Sequence, residues 1–132
     1  MNTIQIEKET LKKQTSINFI KLIESKHLKS EFNLKNSIEV GDIIRLGYII
    51  PEGGKDRTQY YEGLIISINN RGLGKSFTLR RIVQGIGVEQ IFLVNSPKIV
   101  SIVKKQSSKV RRAKLYFIRS LRGKSARLKA KL

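Results

Sequence analysis

Short runs of β-branched and aromatic residues alternate with turn-forming residues from position 38 to position 105, which is the pattern of consecutive β-strands. The segments between the runs are rich in Gly, Asn and Pro, and they are too short to hold crossover helices. An antiparallel sheet is therefore predicted, and its closure into a small barrel would remove the open edges. The predicted strands span residues 42–50, 58–69, 76–83, 88–94 and 98–105.

Side-chain alternation within the predicted strands indicates which residues enter a core. Leu64, Ile66 and Ile68 are two positions apart, so we expect these three side chains to share one face of the second strand. A shared apolar face on a short strand favours burial against the rest of the sheet.

The residues on either side of the predicted sheet follow a helical period. Between positions 16 and 29, Ile17, Ile20 and Ile23 recur every three residues, as on one face of a helix. The polar segment 30–37 shows no period and is interpreted as a linker, and residues 1–15 are expected to be loose. Near the other end, residues 113–121 are predicted to be helical, and 124–131 to add a short helical piece after Gly123.

The four consecutive residues from Leu115 to Ile118 are apolar on every side of that C-terminal helical segment. A segment without a polar face is expected to be buried rather than free in solvent. We therefore predict three parts: an N-terminal extension and helix (1–37), a β-barrel (38–105) and a C-terminal extension (106–132).

Charge separates the C-terminal extension from the rest of the chain. The chain has 27 Lys and Arg against 10 Asp and Glu, a net charge of +17. Residues 101–132 hold 12 of the basic residues and no acidic one, whereas residues 41–100 hold eight basic and five acidic residues. Such an excess repels itself unless a polyanion neutralises it, so nucleic acid is the first partner to consider.

The run from Lys104 to Lys114 is the most crowded part of this charge. It has no nearby carboxylate in the sequence, so we expect it to be extended in isolation and to gain order on a phosphate surface. Binding that depends on phosphate contacts weakens steeply with salt, by about a thousandfold between 50 and 200 mM for six contacts.

The residue types present disfavour an enzyme or a metal protein. The chain has one His, His27, and no Cys, so nucleophilic triads and His or Cys metal sites lack partners. No cofactor is therefore expected. Apolar runs are also too short for a membrane span, and the N-terminus lacks the pattern of a targeting signal.

Several motifs in one collinear order give the chain a family resemblance. From position 38 to position 128 the sequence resembles ribosomal large-subunit protein nineteen of bacteria and organelles. The resemblance depends on Tyr61-Glu62-Gly63, Asn70-Arg71-Gly72-Leu73, Phe77-Thr78-Leu79-Arg80, Gly85-Ile86-Gly87-Val88-Glu89, Ser96-Pro97 and Arg111-Arg112-Ala113-Lys114-Leu115-Tyr116-Phe117. Two departures are Asn95, where the family commonly has His, and Lys104-Lys105-Gln106-Ser107, where the family commonly has a basic pair followed by Gly.

The resemblance implies a specific fold, role and set of partners. It implies a mainly β protein, with a small SH3-like antiparallel barrel, an N-terminal helix and a basic, partly helical C-terminal extension. The implied role is a structural constituent of the large ribosomal subunit in a bacterial cytoplasm or an organelle (plastid stroma or mitochondrial matrix). The implied partners are large-subunit rRNA, small-subunit rRNA across the subunit interface, and large-subunit proteins three and fourteen, with no membrane and no homo-oligomer.

The residues expected to contact rRNA are basic and lie in the C-terminal extension, at hairpin ends or on strands near them. They are Arg71, Lys75, Arg80, Arg81, Lys104, Lys105, Lys109, Arg111, Arg112, Lys114, Arg119, Arg122, Lys124, Arg127, Lys129 and Lys131. The same cations would also suit a free DNA-binding or nucleoid-type regulator, which is the alternative function. Stable sedimentation with large subunits after a moderate salt wash distinguishes the two.

Overall fold

The computed structural model describes residues 19–27 and 38–131. They belong to two compact units, Met1–Glu31 and Phe32–Leu132. In the first unit, residues 19–27 form an α-helix, α1, within the predicted helical segment.

The remaining predictions for the N-terminal extension lie outside the described residues. These are the ends of the predicted helix, the loose segment 1–15 and the linker 30–37. His27, the one histidine, is exposed at the end of α1.

Five antiparallel strands form one sheet in the second unit. They are β1 (Ile43–Glu52), β2 (Lys55–Asn69), β3 (Ser76–Val83), β4 (Ile86–Leu93) and β5 (Ile99–Gln106). The spatial order is β4-β3-β2-β1-β5, so β4 and β5 are the edges, and no ladder joins them within residues 38–131. The mainly β, barrel-like fold is confirmed, with an open seam between the two edges.

Two tight hairpins set the register of the sheet. Gly53 and Gly54 connect β1 to β2, and Gln84 and Gly85 connect β3 to β4, all four with positive φ. Two consecutive residues with positive φ form the type I′ turn, whose twist matches that of antiparallel strands. The Gly-rich segments read as turns in the sequence therefore close two-residue hairpins.

The main core lies on the inner face of the sheet and is rich in aromatic rings. Phe92 lies 5.5 Å from both Tyr48 and Tyr61 and 5.7 Å from Phe77, measured between ring centroids. The tilted contacts are the arrangement that aromatic pairs prefer. Because these four residues come from β1, β2, β3 and β4, the rings join the strands into one core.

The prediction of a common face for Leu64, Ile66 and Ile68 is wrong. β2 pairs with β3 through Ile65 and then Ser67, which leaves Ile66 as the extra residue of a β-bulge. The bulge shifts the alternation by one position. Leu64 and Ile66 consequently pack in a second apolar cluster on the outer face, whereas Ile68 packs against the main core.

Candidate nucleic-acid interface

The C-terminal extension is attached to the outer face of β2 by apolar residues. Leu115 and Ile118 pack on Ile66, and these three residues are the buried centre of the second cluster. The Leu115 backbone N–H also donates a 2.8 Å hydrogen bond to the carbonyl oxygen of Ile66. The bulge in β2 therefore supplies both an apolar side chain and a backbone acceptor to the extension.

The expected helices of the extension are present only as short 3-10 turns, Tyr116–Ser120 and Gly123–Ala126. A 3-10 turn places residues three apart on one side, which suits burial of Leu115 and Ile118 together. Burial is thus confirmed for these two residues, but Tyr116 and Phe117 are exposed. The expectation that all four apolar residues are buried is wrong because only one side of the turn faces the sheet.

The end of the extension folds back along its beginning. Ser108 and Ala130 form an antiparallel bridge, and the Lys109 N–H donates to the carbonyl oxygen of Lys129 at 2.9 Å. Residues 127–131 therefore lie outside any helix, in contrast to the helical piece predicted for 124–131. The fold-back also gives one part of the basic run, residues 107–109, backbone contacts within the protein itself.

A buried carboxylate, Asp42, attaches the start of the extension to the sheet. Its oxygens accept hydrogen bonds from the Ser107 Oγ at 2.7 Å and the Glu39 N–H at 2.9 Å, and Lys104 Nζ lies 2.8 Å away. A buried charge needs such partners because it has lost its hydration. Ser107 is one of the two family departures, and here it has a defined contact.

Glu89 on β4 attaches the middle of the extension. Its carboxylate accepts two hydrogen bonds from Arg119, at 2.8 and 2.7 Å, and a third from Arg80 at 2.8 Å. The bond from Arg119 is the main reason that the pKa of Glu89 lies below its ordinary value, with Arg80 acting in the same direction and partial burial opposing both. The same bond raises the pKa of Arg119.

Gly87 makes room for this contact. A Cβ atom at Gly87 would collide with the Arg80 guanidinium. Gly87, which pairs with Ile82 in the β3–β4 ladder, therefore leaves space for the Arg80 guanidinium as well as following the turn at Gly85.

Two weaker ion pairs lie at the end of β5 and at the end of the extension. Lys105 Nζ lies 2.7 Å from Glu62, and Lys131 Nζ lies 3.9 Å from Glu39, with all four side chains largely exposed. The expectation that the run beginning at Lys104 lacks nearby carboxylates is therefore wrong. The sequence separates these charges by many residues, but the sheet brings its own acidic residues to them.

Most of the predicted rRNA-binding residues have no carboxylate partner. Within residues 19–27 and 38–131, no ion pair is formed by Arg71, Lys75, Arg81, Lys109, Arg111, Arg112, Lys114, Arg122, Lys124, Arg127 or Lys129. The eight of these that belong to the extension are all exposed. The extension thus presents eight exposed cations that have no ion pair among the described residues, on a backbone that is anchored to the sheet.

The three predicted cations outside the extension that have no ion pair in the described part of the chain occupy two separate places. Arg71 and Lys75 flank the 3-10 turn Gly72–Gly74 between β2 and β3, and Asn95 supports this turn by donating to the carbonyl oxygen of Leu73 at 3.1 Å. Arg81 instead lies with its guanidinium 4.7 Å from the centre of the Tyr61 ring. Such stacking stabilises a cation without an anionic partner.

The described residues lack two features that are typical of other functional classes. In the part of the chain that the structure describes, no three His, Asp or Glu side chains are grouped so as to hold a metal ion. Neither stretch, 19–27 or 38–131, contains a helix with the length and apolar character that crossing a membrane requires.

A small open barrel that carries an acid-free basic extension defines a class of proteins suited to folded nucleic acid. The Ribosomal protein L19 family matches residues 18–131. Large ribosomal subunit protein bL19c of Phaeodactylum tricornutum is 52% identical over 110 residues, which cover 83% of this chain and 89% of the relative. Large ribosomal subunit protein bL19 of Gloeothece citriformis is 50% identical over 109 residues, which cover 83% of this chain and 88% of the relative.

The chain therefore belongs to the ribosomal protein L19 family, and the resemblance drawn from its motifs is confirmed. It is a structural component of the ribosome rather than an enzyme. The bL19c and bL19 relatives are consistent with a ribosome in an organelle or in a bacterial cytoplasm.

Proposed function

We propose that the chain is an rRNA-binding scaffold of the large ribosomal subunit. In this proposal residues 38–105 position the molecule, and residues 106–132 neutralise phosphates where rRNA segments converge. The observation that supports it is the set of exposed, uncompensated cations on an extension that is fixed to the sheet. Anchoring matters because cations held in place lose less freedom when they meet phosphates.

The proposed rRNA contacts fall into two groups. The first group consists of exposed extension residues without a carboxylate partner: Lys109, Arg111, Arg112, Lys114, Arg122, Lys124, Arg127 and Lys129. The second group contains Arg71 and Lys75 at the β2–β3 turn, Arg81, and the ion-paired Arg80, Lys104, Lys105, Arg119 and Lys131. Contacts of this kind read the backbone and shape of folded RNA more than its base sequence.

The proposed protein partners are large-subunit proteins three and fourteen. Support comes from the edge strand β4, which exposes Ile91 and Leu93, and from the adjacent hairpin, which exposes Ile82 and Ile86. An unpaired edge with apolar side chains is suited to a protein rather than to a phosphate surface. We place the molecule near the subunit interface, where it contributes to bridges with small-subunit rRNA as a single copy.

Sedimentation tests the ribosomal assignment against a free DNA-binding regulator. Tagged chain expressed in cells is expected to sediment with large subunits and to remain there after a moderate salt wash. Recovery with chromosomal DNA, or as a free monomer at low salt, would contradict the proposal and favour the DNA-binding alternative.

Crosslinking tests which surface meets rRNA. A photoreactive residue at position 112 or 71 is expected to crosslink to large-subunit rRNA within assembled particles. The matched control is position 56 in the β1–β2 hairpin. Acidic and basic residues are mixed there, so this hairpin is not expected to bind phosphate. Stronger crosslinking from position 56 than from position 112 would show that the wrong face has been assigned.

A further inference from the structure

The extension contains a small cavity of about 390 Å³ beside the apolar cluster. Its walls are apolar and come from Val110, Leu115, Phe117 and Leu128. Leu128 reaches the cavity because the chain end folds back along residues 107–109. The cavity, which we call the basic pocket, is therefore a product of the folded extension and could not be read from the sequence.

The rim of the basic pocket is cationic. Lys109, Arg111 and Arg112 line it, and no acidic residue does. The Arg112 guanidinium lies 5.1 Å from the centre of the Phe117 ring, whose side chain is partly exposed. The apolar wall with its aromatic ring is complementary to a nucleotide base. The cations beside it are complementary to the phosphates of the same strand.

The larger groove of the second unit has a different character. Its volume is about 850 Å³, and its lining includes Glu62 and the Glu89-bound Arg80. The larger groove also contains the cations Arg81 and Arg127, which form no ion pair among the described residues, but Glu62 places a carboxylate among them, and a carboxylate repels phosphate. Within the described residues, the lining of the basic pocket contains cations and no carboxylate. The charge pattern thus favours the basic pocket as the site for an anionic ligand.

We propose that the basic pocket receives one unstacked base of an RNA strand, with the neighbouring phosphates on Lys109, Arg111 and Arg112. This inference rests on the proposed rRNA binding and names a site for it. A bulged or looped nucleotide is required, because the bases of a continuous duplex remain stacked and paired. The cavity volume is near the lower limit of about 300 Å³ for ligand pockets, which suits a single nucleoside.

Two RNA hairpins of equal length and charge provide the test. One carries 2-aminopurine as a single-nucleotide bulge, and the other carries it paired within the stem. The full chain is expected to bind the bulged hairpin about tenfold more tightly at the same salt concentration, within the range that base stacking on an aromatic ring provides. A change in 2-aminopurine fluorescence is expected for the bulged hairpin alone.

Substitution of the ring identifies the site. Phe117→Leu keeps an apolar wall but removes the aromatic face, and is expected to reduce the preference for the bulge to about twofold, with binding to the paired hairpin unchanged. The matched control is Tyr116→Leu, because Tyr116 is the adjacent aromatic residue and lies outside the pocket lining. Thermal unfolding of each variant establishes that the fold is kept.

The outcomes separate the pocket from the wider proposal. Equal binding of the two hairpins by the native chain, or a bulge preference that survives Phe117→Leu, overturns the base-binding pocket but leaves RNA binding intact. Equal binding is also the result expected if an apolar side chain of a protein partner fills the pocket. Binding to neither hairpin overturns the proposed rRNA-binding function and the pocket with it.

Discussion

The sheet and the C-terminal extension are stabilised by opposite means. The sheet spans most of residues 41–100, which mix eight basic with five acidic residues, and it encloses an aromatic core. The extension has no acidic residue and buries few side chains fully, chiefly Leu115 and Ile118. A segment with so little core of its own depends on the sheet for its shape. The proposed polyanion binding would therefore belong to a different part of the chain from the one that supplies the main core.

The acidic residues of the sheet are the link between the two regions. Asp42, Glu62 and Glu89 each hold a cation from the C-terminal part of the chain. Lys104 and Lys105 lie at the end of β5, where Asp42 also accepts a hydrogen bond from Ser107 at the start of the extension, and Arg119 lies within the extension. Within the described residues, most of the charge of the extension stays free of carboxylate partners. This arrangement allows the extension to be both ordered and strongly positive.

The largest effect is expected from the core of the sheet. Phe77→Ala removes a fully buried ring from the aromatic cluster and should lower the free energy of unfolding by about 3–5 kcal/mol. Because the extension packs on β2, both regions should lose protection in hydrogen exchange together. An extension that stays protected in this variant would show that it folds independently of the sheet.

A smaller and more local effect is expected from the apolar anchor of the extension. Leu115→Ala should cost about 2–3 kcal/mol, since the cluster around Ile66 is small and collapses partly. Hydrogen exchange at the amide of residue 115, which bonds to Ile66, should accelerate while amides of the main core keep their protection. Leu93→Ala, at an exposed position, is the control and should change little.

The buried carboxylate between the two regions is expected to rank next. Asp42→Asn removes the charge that holds Lys104 and leaves a polar group with altered hydrogen bonding, at a cost of about 1–3 kcal/mol in chemical denaturation. Glu62→Gln is the matched control, because its exposed pair with Lys105 should contribute at most about 1 kcal/mol. Equal costs for the two variants would contradict the anchoring role of Asp42.

The smallest effect concerns pH. The pKa of Glu89 is lowered in the folded chain, so its bonds to Arg119 and Arg80 stabilise the protein fully above the ordinary pKa of 4.5 and are lost as pH falls through the lowered value. The NMR signal of the Arg119 Nε–H should therefore shift only below pH 4.5. In Glu89→Gln this shift should disappear, and a midpoint above 4.5 in the native chain would contradict the assignment.

The sequence predicted the elements of the sheet better than the contacts of the extension. Each strand starts and ends within three residues of its predicted bounds, because alternation and turn residues are local signals. The β-bulge at Ile66 was not predicted. It depends on how β2 pairs with β3, and the residues of β2 alone give no local signal for it.

The candidate interface was predicted as a list of cations but not as a surface. Which cations are paired depends on contacts such as Arg119 with Glu89, which are 30 residues apart. Asp42 carried no signal of its buried role, and the fold-back between Ser108 and Ala130 joins two basic segments that sequence reasoning treats as repelling. Long-range geometry of this kind is absent from local patterns.

The salt dependence of binding to large-subunit rRNA tests most directly whether the extension carries most of the phosphate contacts. Two variants of equal net charge are compared by measuring affinity against salt concentration. One replaces four extension cations by Gln (Arg111, Arg112, Lys124 and Arg127), and the other replaces four sheet cations (Arg45, Lys55, Arg57 and Lys98). The slope of log affinity against log salt is expected to fall by about 3 in the first variant, at roughly 0.7 to 0.9 for each lost contact, and by less than about 1 in the second. Equal slopes in the two variants, or a larger change in the sheet variant, would contradict the division of roles between the two regions.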